Sequence, residues 1–75
     1  MSRLTPISSK KLQRILNDLG FELVRQKGSH AFYGHPDGRT TLIPLHSSED
    51  ISRGLLHKIV TEDIGIKIEE FNKLK

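Results

Sequence analysis

The chain has 75 residues, a formal net charge of +3 at neutral pH and no cysteine. A chain this short forms one small domain with a compact core, so we expect a single domain over residues 1–75. Without cysteine, neither disulfides nor a zinc site built on thiolates can stabilise it.

The sequence carries no signal for secretion or for a membrane. Its first residues, MSRLTPISSKK, contain neither an apolar stretch nor a small-residue cleavage site. No apolar run approaches the roughly 20 residues that a transmembrane helix requires. We therefore expect a cytoplasmic protein without membrane partners.

Positive charge is concentrated in the first part of the chain. Residues 1–46 contain seven Lys and Arg against three acidic residues, whereas residues 47–75 contain five basic and six acidic ones. A basic half of this kind suits a polyanion such as RNA or DNA. Many soluble proteins are equally basic without binding nucleic acid, so the charge alone leaves both interpretations open.

The first predicted element is a helix over about residues 8–19. Ser8 is placed as its N-cap, and Ile7 before it can pack on Leu12 as a hydrophobic staple. Gly20 is placed to end the helix in a left-handed conformation. Apolar residues recur inside it at helical spacing, at Leu12, Ile15, Leu16 and Leu19. Its basic residues lie away from that stripe, at Lys10, Lys11 and Arg14.

Three short strands are predicted next. FELVRQK, residues 21–27, alternates as a strand does, and Gly28 ends it. HAFYGH, residues 30–35, reads as a second strand. HPDGR, residues 35–39, carries Pro, Asp and Gly where a tight turn favours them, and RTTLIPL, residues 39–45, is the third strand.

The rest of the chain predicts a second helix and a short third one. Ser47 or Ser48 is the expected N-cap of the second helix, with Asp50 completing an approximate capping box. The apolar face of this helix runs up to Gly65 and comprises Ile51, Leu55, Leu56, Ile59, Val60 and Ile64. IEEFNKLK then forms a last, poorly capped helix in which Phe71 docks.

The order helix, three antiparallel strands, helix predicts an α+β fold. With the strands in sequence order, both helices pack on one face of the sheet and leave the other in solvent. Phe32 and Tyr33 have opposite parity, so one faces the helices and the other faces away. The outward ring either packs on the sheet or stacks on an RNA base. Parity places His30 with Phe32, unless a bulge near Gly28 changes the register.

His30 is one histidine that could carry chemistry if the polyanion suggested by the charge is RNA. RNA carries its own nucleophile, the 2′-hydroxyl, so a ribonuclease needs proton transfer and positive charge rather than a metal. An imidazole titrates at about pH 6.5 and can transfer protons at neutral pH. Ser29 before it can donate its hydroxyl to a phosphate, and Lys27 and Arg25 can hold that phosphate. The alternative is an exposed strand histidine without a role.

The other histidines have simpler explanations. His35 opens the hairpin as a turn residue, and His57 is expected to be solvated on its helix. His46 either orients the loop before the second helix or serves as a second proton-transfer group. A zinc site from His30, His35 and His46 lacks supporting ligands at recognisable spacing, so we expect no metal or cofactor.

Together these motifs resemble the HicA family, also called YcfA-like. The similarity runs from Ser8 to Phe71 and is carried by GSH at residues 28–30, HPDGR at residues 35–39, PLH at residues 44–46 and the Leu/Ile-rich helix ending near Gly65. HicA proteins are toxins of bacterial type II toxin–antitoxin systems. The resemblance implies an α-β-β-β-α fold like that of double-stranded-RNA-binding domains, metal-independent cleavage of mRNA, and inhibition by an antitoxin called HicB. It places the catalytic histidine at His30.

The sequence thus predicts an endoribonuclease toxin with His30 as its acid/base residue. Its predicted phosphate contacts are Ser29, Lys27, Arg25, Lys10, Lys11 and Arg14. Two alternatives remain. One is a non-catalytic RNA-binding module of the same fold, and the other is a degenerate toxin that only binds its antitoxin in a repressor complex.

Overall fold

The structure is a computed structural model that describes residues 3–45 and 49–75. Its elements in chain order are β1 (Ile7–Ser8), α1 (Ser9–Asp18), β2 (Glu22–Lys27), β3 (His30–Gly34), β4 (Thr40–Pro44), β5 (Asp50–Ile51), α2 (Arg53–Lys58), a π-helical segment (Ile59–Ile64) and α3 (Ile68–Asn72).

The main sheet has three antiparallel strands in the order β2-β3-β4. β3 and β4 pair regularly, from His30 opposite Pro44 to Gly34 opposite Thr40. β2 pairs with β3 through one irregularity between Leu23 and Arg25. The predicted α+β fold with a three-stranded antiparallel sheet is confirmed.

Alternation along the strands gives the sheet a covered face and an open face. Ala31 and Tyr33 on β3 are buried against the helices, as is Ile43 on β4. Phe32 on β3 and Leu42 on β4 alternate with these residues and point to the open face, where Leu42 is 53% exposed. The parity prediction is therefore correct, with Tyr33 as the inward ring and Phe32 as the outward one.

Helix α1 begins and ends as its sequence predicts. The Ser8 hydroxyl accepts a hydrogen bond from the Lys11 amide at 3.1 Å, and Gly20 takes a φ of 95° just beyond the helix. Leu12, Ile15 and Leu16 are fully buried. Burying each such side chain stabilises the fold by about 1.5–3 kcal/mol.

The predicted start of the second helix is wrong. Asp50 and Ile51 form β5, which pairs antiparallel with β1 and sets Ile7 opposite Ile51. Helix α2 begins at Arg53, and its cap is Ser52, whose hydroxyl accepts from the Leu55 amide at 3.4 Å. Ile51 is in a strand instead of a helix because its pairing with Ile7 buries both isoleucines and gives their backbone groups hydrogen-bond partners. The other predicted caps, Ser47 and Ser48, lie outside the described residues.

The second helix changes its winding at Ile59 and continues as the π-helical segment until Gly65, which takes a φ of 76°. This segment is tied to the sheet by polar contacts. The Thr41 hydroxyl donates to Asp63 at 2.9 Å, and the Arg39 guanidinium donates to the Ile64 carbonyl at 2.6 Å. The short α3 follows without a capping side chain and buries Phe71, as predicted.

Among residues 3–45 and 49–75, none of the helices is long and apolar enough to cross a membrane.

Candidate active site on the open face of the sheet

His30 is the first residue of β3 and is exposed on the open face. It stands directly across from Lys27 on β2 and from Pro44 on β4. The turn between Lys27 and His30 is only Gly28 and Ser29, with a φ of 58° at Gly28. A two-residue hairpin turn with Gly first and at positive φ holds the two strands in fixed register, so the imidazole and the ammonium group share one surface.

A bulge at Val24 decides which side chains of β2 share that surface. Leu23 pairs with Tyr33 on the covered side, and strict alternation would return Arg25 to the same side. Instead the register shifts and Arg25 pairs with Phe32, which faces outward. Bulges often redirect side chains next to functional sites. Here the bulge brings Arg25, and with it Lys27, to the face that holds His30.

These residues line one open groove of about 560 Å³, formed by Arg25, Lys27, His30, Phe32 and Leu42. Its floor is apolar because Phe32 and Leu42 are cross-strand partners. Its rim is cationic, and the Arg25 guanidinium carbon lies 5.8 Å from the centre of the Phe32 ring. The polar part of this lining consists of two cationic side chains and one imidazole, an arrangement suited to a phosphate-bearing ligand.

Ser29 sits at the tip of the turn beside this groove. Its carbonyl accepts a hydrogen bond from the Leu45 amide at 2.6 Å, which ties the turn to the end of β4. Its side chain is exposed next to His30. Ser29 is thus held where a hydroxyl can reach a ligand bound between His30 and Lys27.

The basic residues of α1 lie elsewhere. Lys10, Lys11 and Arg14 line a second groove together with Ser8, in the helical layer that packs on the covered face. Arg14 also reaches the chain terminus, where it donates to the Leu74 carbonyl at 3.4 Å. The structure therefore brings Arg25, Lys27, Ser29 and His30 together and keeps the α1 cations apart from them.

His35 lies on the covered side and supports the fold. Its ring packs edge-on against Phe21, with centroids 5.1 Å apart. Its Nε2 is 3.2 Å from the Leu19 carbonyl, and its Nδ1 is 3.1 Å from the Asp37 amide and 3.0 Å from the Asp37 carboxylate. A neutral ring protonated on Nε2 satisfies both backbone contacts, whereas a protonated Nδ1 would donate to the carboxylate instead.

The histidine set considered for zinc does not assemble from the described residues. His30 and His35 face opposite sides of the sheet, and His46 lies outside the described residues. No group of three or more His, Cys, Asp or Glu side chains is placed to hold a metal within residues 3–45 and 49–75. His57 is exposed on α2, as expected.

Asp37 and Arg39 fix the hairpin that follows β3. The backbone amide of Arg39 donates to Asp37 Oδ1 at 3.0 Å, and its Nε donates to Oδ2 at 2.8 Å. The hydrogen bond from the backbone amide has the largest effect on Asp37, and the guanidinium adds to it. Both lower the pKa of Asp37 from its ordinary value of 3.8. Arg39 also lies 5.1 Å from the centre of the Phe21 ring, so this turn is pinned to the core.

Sequence reasoning did not identify Leu42 as part of the site. Its parity relative to Phe32 is visible only after β3 and β4 are put in register, since the turn between them decides which residues face each other. An apolar residue at an outward position of TTLIP is the available signal.

Fold and site together define a small α+β domain that presents a basic sheet face with a histidine. Residues 9–66 match the family described as the HicA toxin of bacterial toxin–antitoxin systems. The chain therefore belongs to the HicA toxin family, as the sequence motifs predict. This membership assigns it the toxin role in a toxin–antitoxin system, with an antitoxin as its partner. A comparison with curated proteins gave no match.

Proposed function

We propose that this toxin is a metal-independent endoribonuclease that cleaves mRNA in the cytoplasm and is neutralised by a HicB-like antitoxin. The observation that carries the proposal is the position of His30 directly opposite Lys27, on a face that none of the described elements covers. A proton-transfer group beside a fixed cation is what cleavage at a phosphodiester requires.

In the proposed reaction, His30 takes the proton of the 2′-hydroxyl as that oxygen attacks the adjacent phosphorus. The bond from phosphorus to the 5′-oxygen breaks, which leaves a 2′,3′-cyclic phosphate, and the departing 5′-oxygen takes up a proton to become a 5′-hydroxyl. Lys27 and Arg25 stabilise the negative charge that builds on the phosphate, and the Ser29 hydroxyl donates to one of its oxygens.

The proton for the leaving 5′-oxygen needs a second source. His46 is the candidate from the sequence, and it lies outside the described residues. Water is the alternative donor. Lys10, Lys11 and Arg14 are proposed to bind phosphates of the same RNA away from the scissile bond.

One observation favours a rival function. Within the described residues the groove holds a single proton-transfer side chain, His30. The same basic face would serve a non-catalytic RNA-binding module, or a degenerate toxin whose remaining partner is the antitoxin.

Incubation of the purified chain with RNA in EDTA separates these functions. The ribonuclease yields fragments with 5′-hydroxyl and 2′,3′-cyclic or 3′-phosphate ends, and it leaves DNA of the same sequence intact. A requirement for added magnesium, or cleavage of the deoxy substrate, contradicts the mechanism. RNA that is bound but never cut supports the binding module.

A further inference from the structure

The open face of the sheet carries an apolar surface that the fold does not use. Phe32 and Leu42 are direct cross-strand partners, and in the described part of the chain neither belongs to the hydrophobic core. Leu42 is 53% exposed although an outward position on β4 is free to be polar, as exposed Thr40 on the same side shows. Phe32 is half-buried beside it, and an adjoining pair of apolar side chains with this much exposed surface indicates a ligand with an apolar surface of its own.

This surface adjoins the proposed reaction centre. Phe32 follows His30 by two residues on one strand, so the two side chains stand about 7 Å apart on the same face. This spacing is about that of successive nucleotides, so the base next to a phosphate held between His30 and Lys27 would be within reach of Phe32. Arg25 beside the ring can add its guanidinium plane to the stack or neutralise the next phosphate.

We infer that Phe32 and Leu42 form a platform on which one unpaired base next to the scissile phosphate stacks, so that the substrate must be single-stranded at the cleavage point. The inference rests on the proposed ribonuclease function and adds the form of its substrate. Bases in a duplex are stacked on each other and hide their faces from a flat apolar platform. The floor of the groove offers carbon rather than hydrogen-bonding groups, so this subsite accepts different bases with little discrimination.

The combination of an apolar floor and a cationic rim favours a nucleotide as the occupant. The rim of the groove holds two cations, Arg25 and Lys27, and each would need a counter-charge if an apolar side chain filled the floor. A nucleotide supplies a flat apolar ring and a phosphate from the same molecule. If only the antitoxin used this platform, the variants below would lose antitoxin binding and keep their RNA affinity.

The test uses a His30→Ala background, which keeps RNA intact, and a short single-stranded RNA with 2-aminopurine at successive positions. We expect quenching of the fluorescent base at the one position that stacks on Phe32. Phe32→Leu removes the ring but keeps an apolar side chain, and it should abolish the quenching and weaken binding by roughly 5-fold or more, within the worth of one stacked base. Phe32→Tyr should retain both signals.

Leu42→Ala should weaken binding in the same direction, and Leu23→Ala is its matched control. Leu23 is 47% exposed on the same sheet but pairs with Tyr33 on the other side, so its truncation should leave RNA affinity unchanged. Thermal unfolding of each variant checks the fold. Should Phe32→Leu unfold, the contrast between Leu42→Ala, Leu23→Ala and Phe32→Tyr carries the test.

Cleavage assays in EDTA with the native His30 keep the two hypotheses separate. The wild-type and Phe32→Leu chains are each given single-stranded and duplex RNA. If the wild-type chain cuts RNA and the Phe32→Leu chain cuts each substrate as fast as the wild-type chain does, the platform is overturned while the ribonuclease stands. Unchanged RNA affinity combined with lost antitoxin binding in Leu42→Ala also overturns it. If no version cuts RNA but Phe32→Leu still loses quenching and affinity, the platform is supported as a binding site and the ribonuclease fails.

Discussion

Three histidines of the described chain occupy three environments, and the structure predicts a different outcome for replacing each with alanine. His30 is exposed at a turn, so its loss should change the free energy of unfolding by no more than about 0.5 kcal/mol. Cleavage should fall at least about 100-fold, which corresponds to about 2.7 kcal/mol in the activation barrier. His57 is also exposed, on α2, and its replacement should change neither quantity.

His35 should show the reverse pattern. Its replacement removes a contact from Nε2 to the Leu19 carbonyl and one from Nδ1 to the Asp37 amide, each worth about 0.5–1.5 kcal/mol. It also removes the edge-on contact with Phe21, worth about as much again. We expect a loss of about 2 kcal/mol or more in unfolding free energy. In a domain of this size that lowers the melting temperature by roughly 8–16 °C.

The assay pairs thermal or urea unfolding of each variant with RNA cleavage in EDTA, well below the melting temperature of the least stable protein. Near wild-type cleavage by the His30→Ala protein would refute the site assignment. Unfolding of that protein would show that His30 is structural. A stable His35→Ala protein without activity would mean that the wrong histidine was assigned to the chemistry.

Three further predictions concern the rest of the surface. First, the pKa of Asp37 is lowered in the folded state, so its contribution to stability is present above pH 3.8 and is lost as the pH falls through the folded value. The stability of Asp37→Asn against acid unfolding should therefore depend less on pH in that range. An unchanged profile contradicts the contacts with Arg39. Second, if about four cations contact phosphates, the log–log salt slope for single-stranded RNA should be about −3. Replacing the basic residues of α1 by neutral ones should make the slope shallower. An unchanged slope means that these residues lie outside the RNA interface, namely Lys10, Lys11 and Arg14. Third, the antitoxin should be acidic where it binds and should protect residues 25–45 from hydrogen exchange within an interface of about 1,600 Å²; equal exchange in the free and bound toxin would rule out steric occlusion.

Local signals predicted the elements that local physics controls. The Ser8 cap and the left-handed Gly20 limit α1 at the expected residues. The start of α2 was not predictable in this way, because Asp50 and Ile51 form a strand only through pairing with β1, more than 40 residues earlier in the sequence. A capping pattern read from adjacent residues cannot include such a partner.

The candidate site shows the same division. The pair of His30 and Phe32 follows from strand alternation, and the sequence places it correctly. Arg25 does not follow, because alternation from the buried Phe21 assigns it to the covered face. The register shift at Val24 corrects this, and a single extra residue in an exposed edge strand leaves no distinctive pattern in the sequence.

The two faces of β3 separate the site from the stability of the fold. Ala31 and Tyr33 hold the strand on the helices, while His30 and Phe32 alternate with them and face solvent. We therefore expect substitutions at the outward positions to change ligand binding and to leave the core packing intact. A His30→Ala toxin should fold normally and present almost the same surface to its antitoxin, because only one imidazole of that face is lost. If His30 performs the proposed cleavage, we expect one substitution to remove toxicity and to keep antitoxin binding. An inhibitor that covers the open face is then expected to compete with RNA for Arg25 and Lys27.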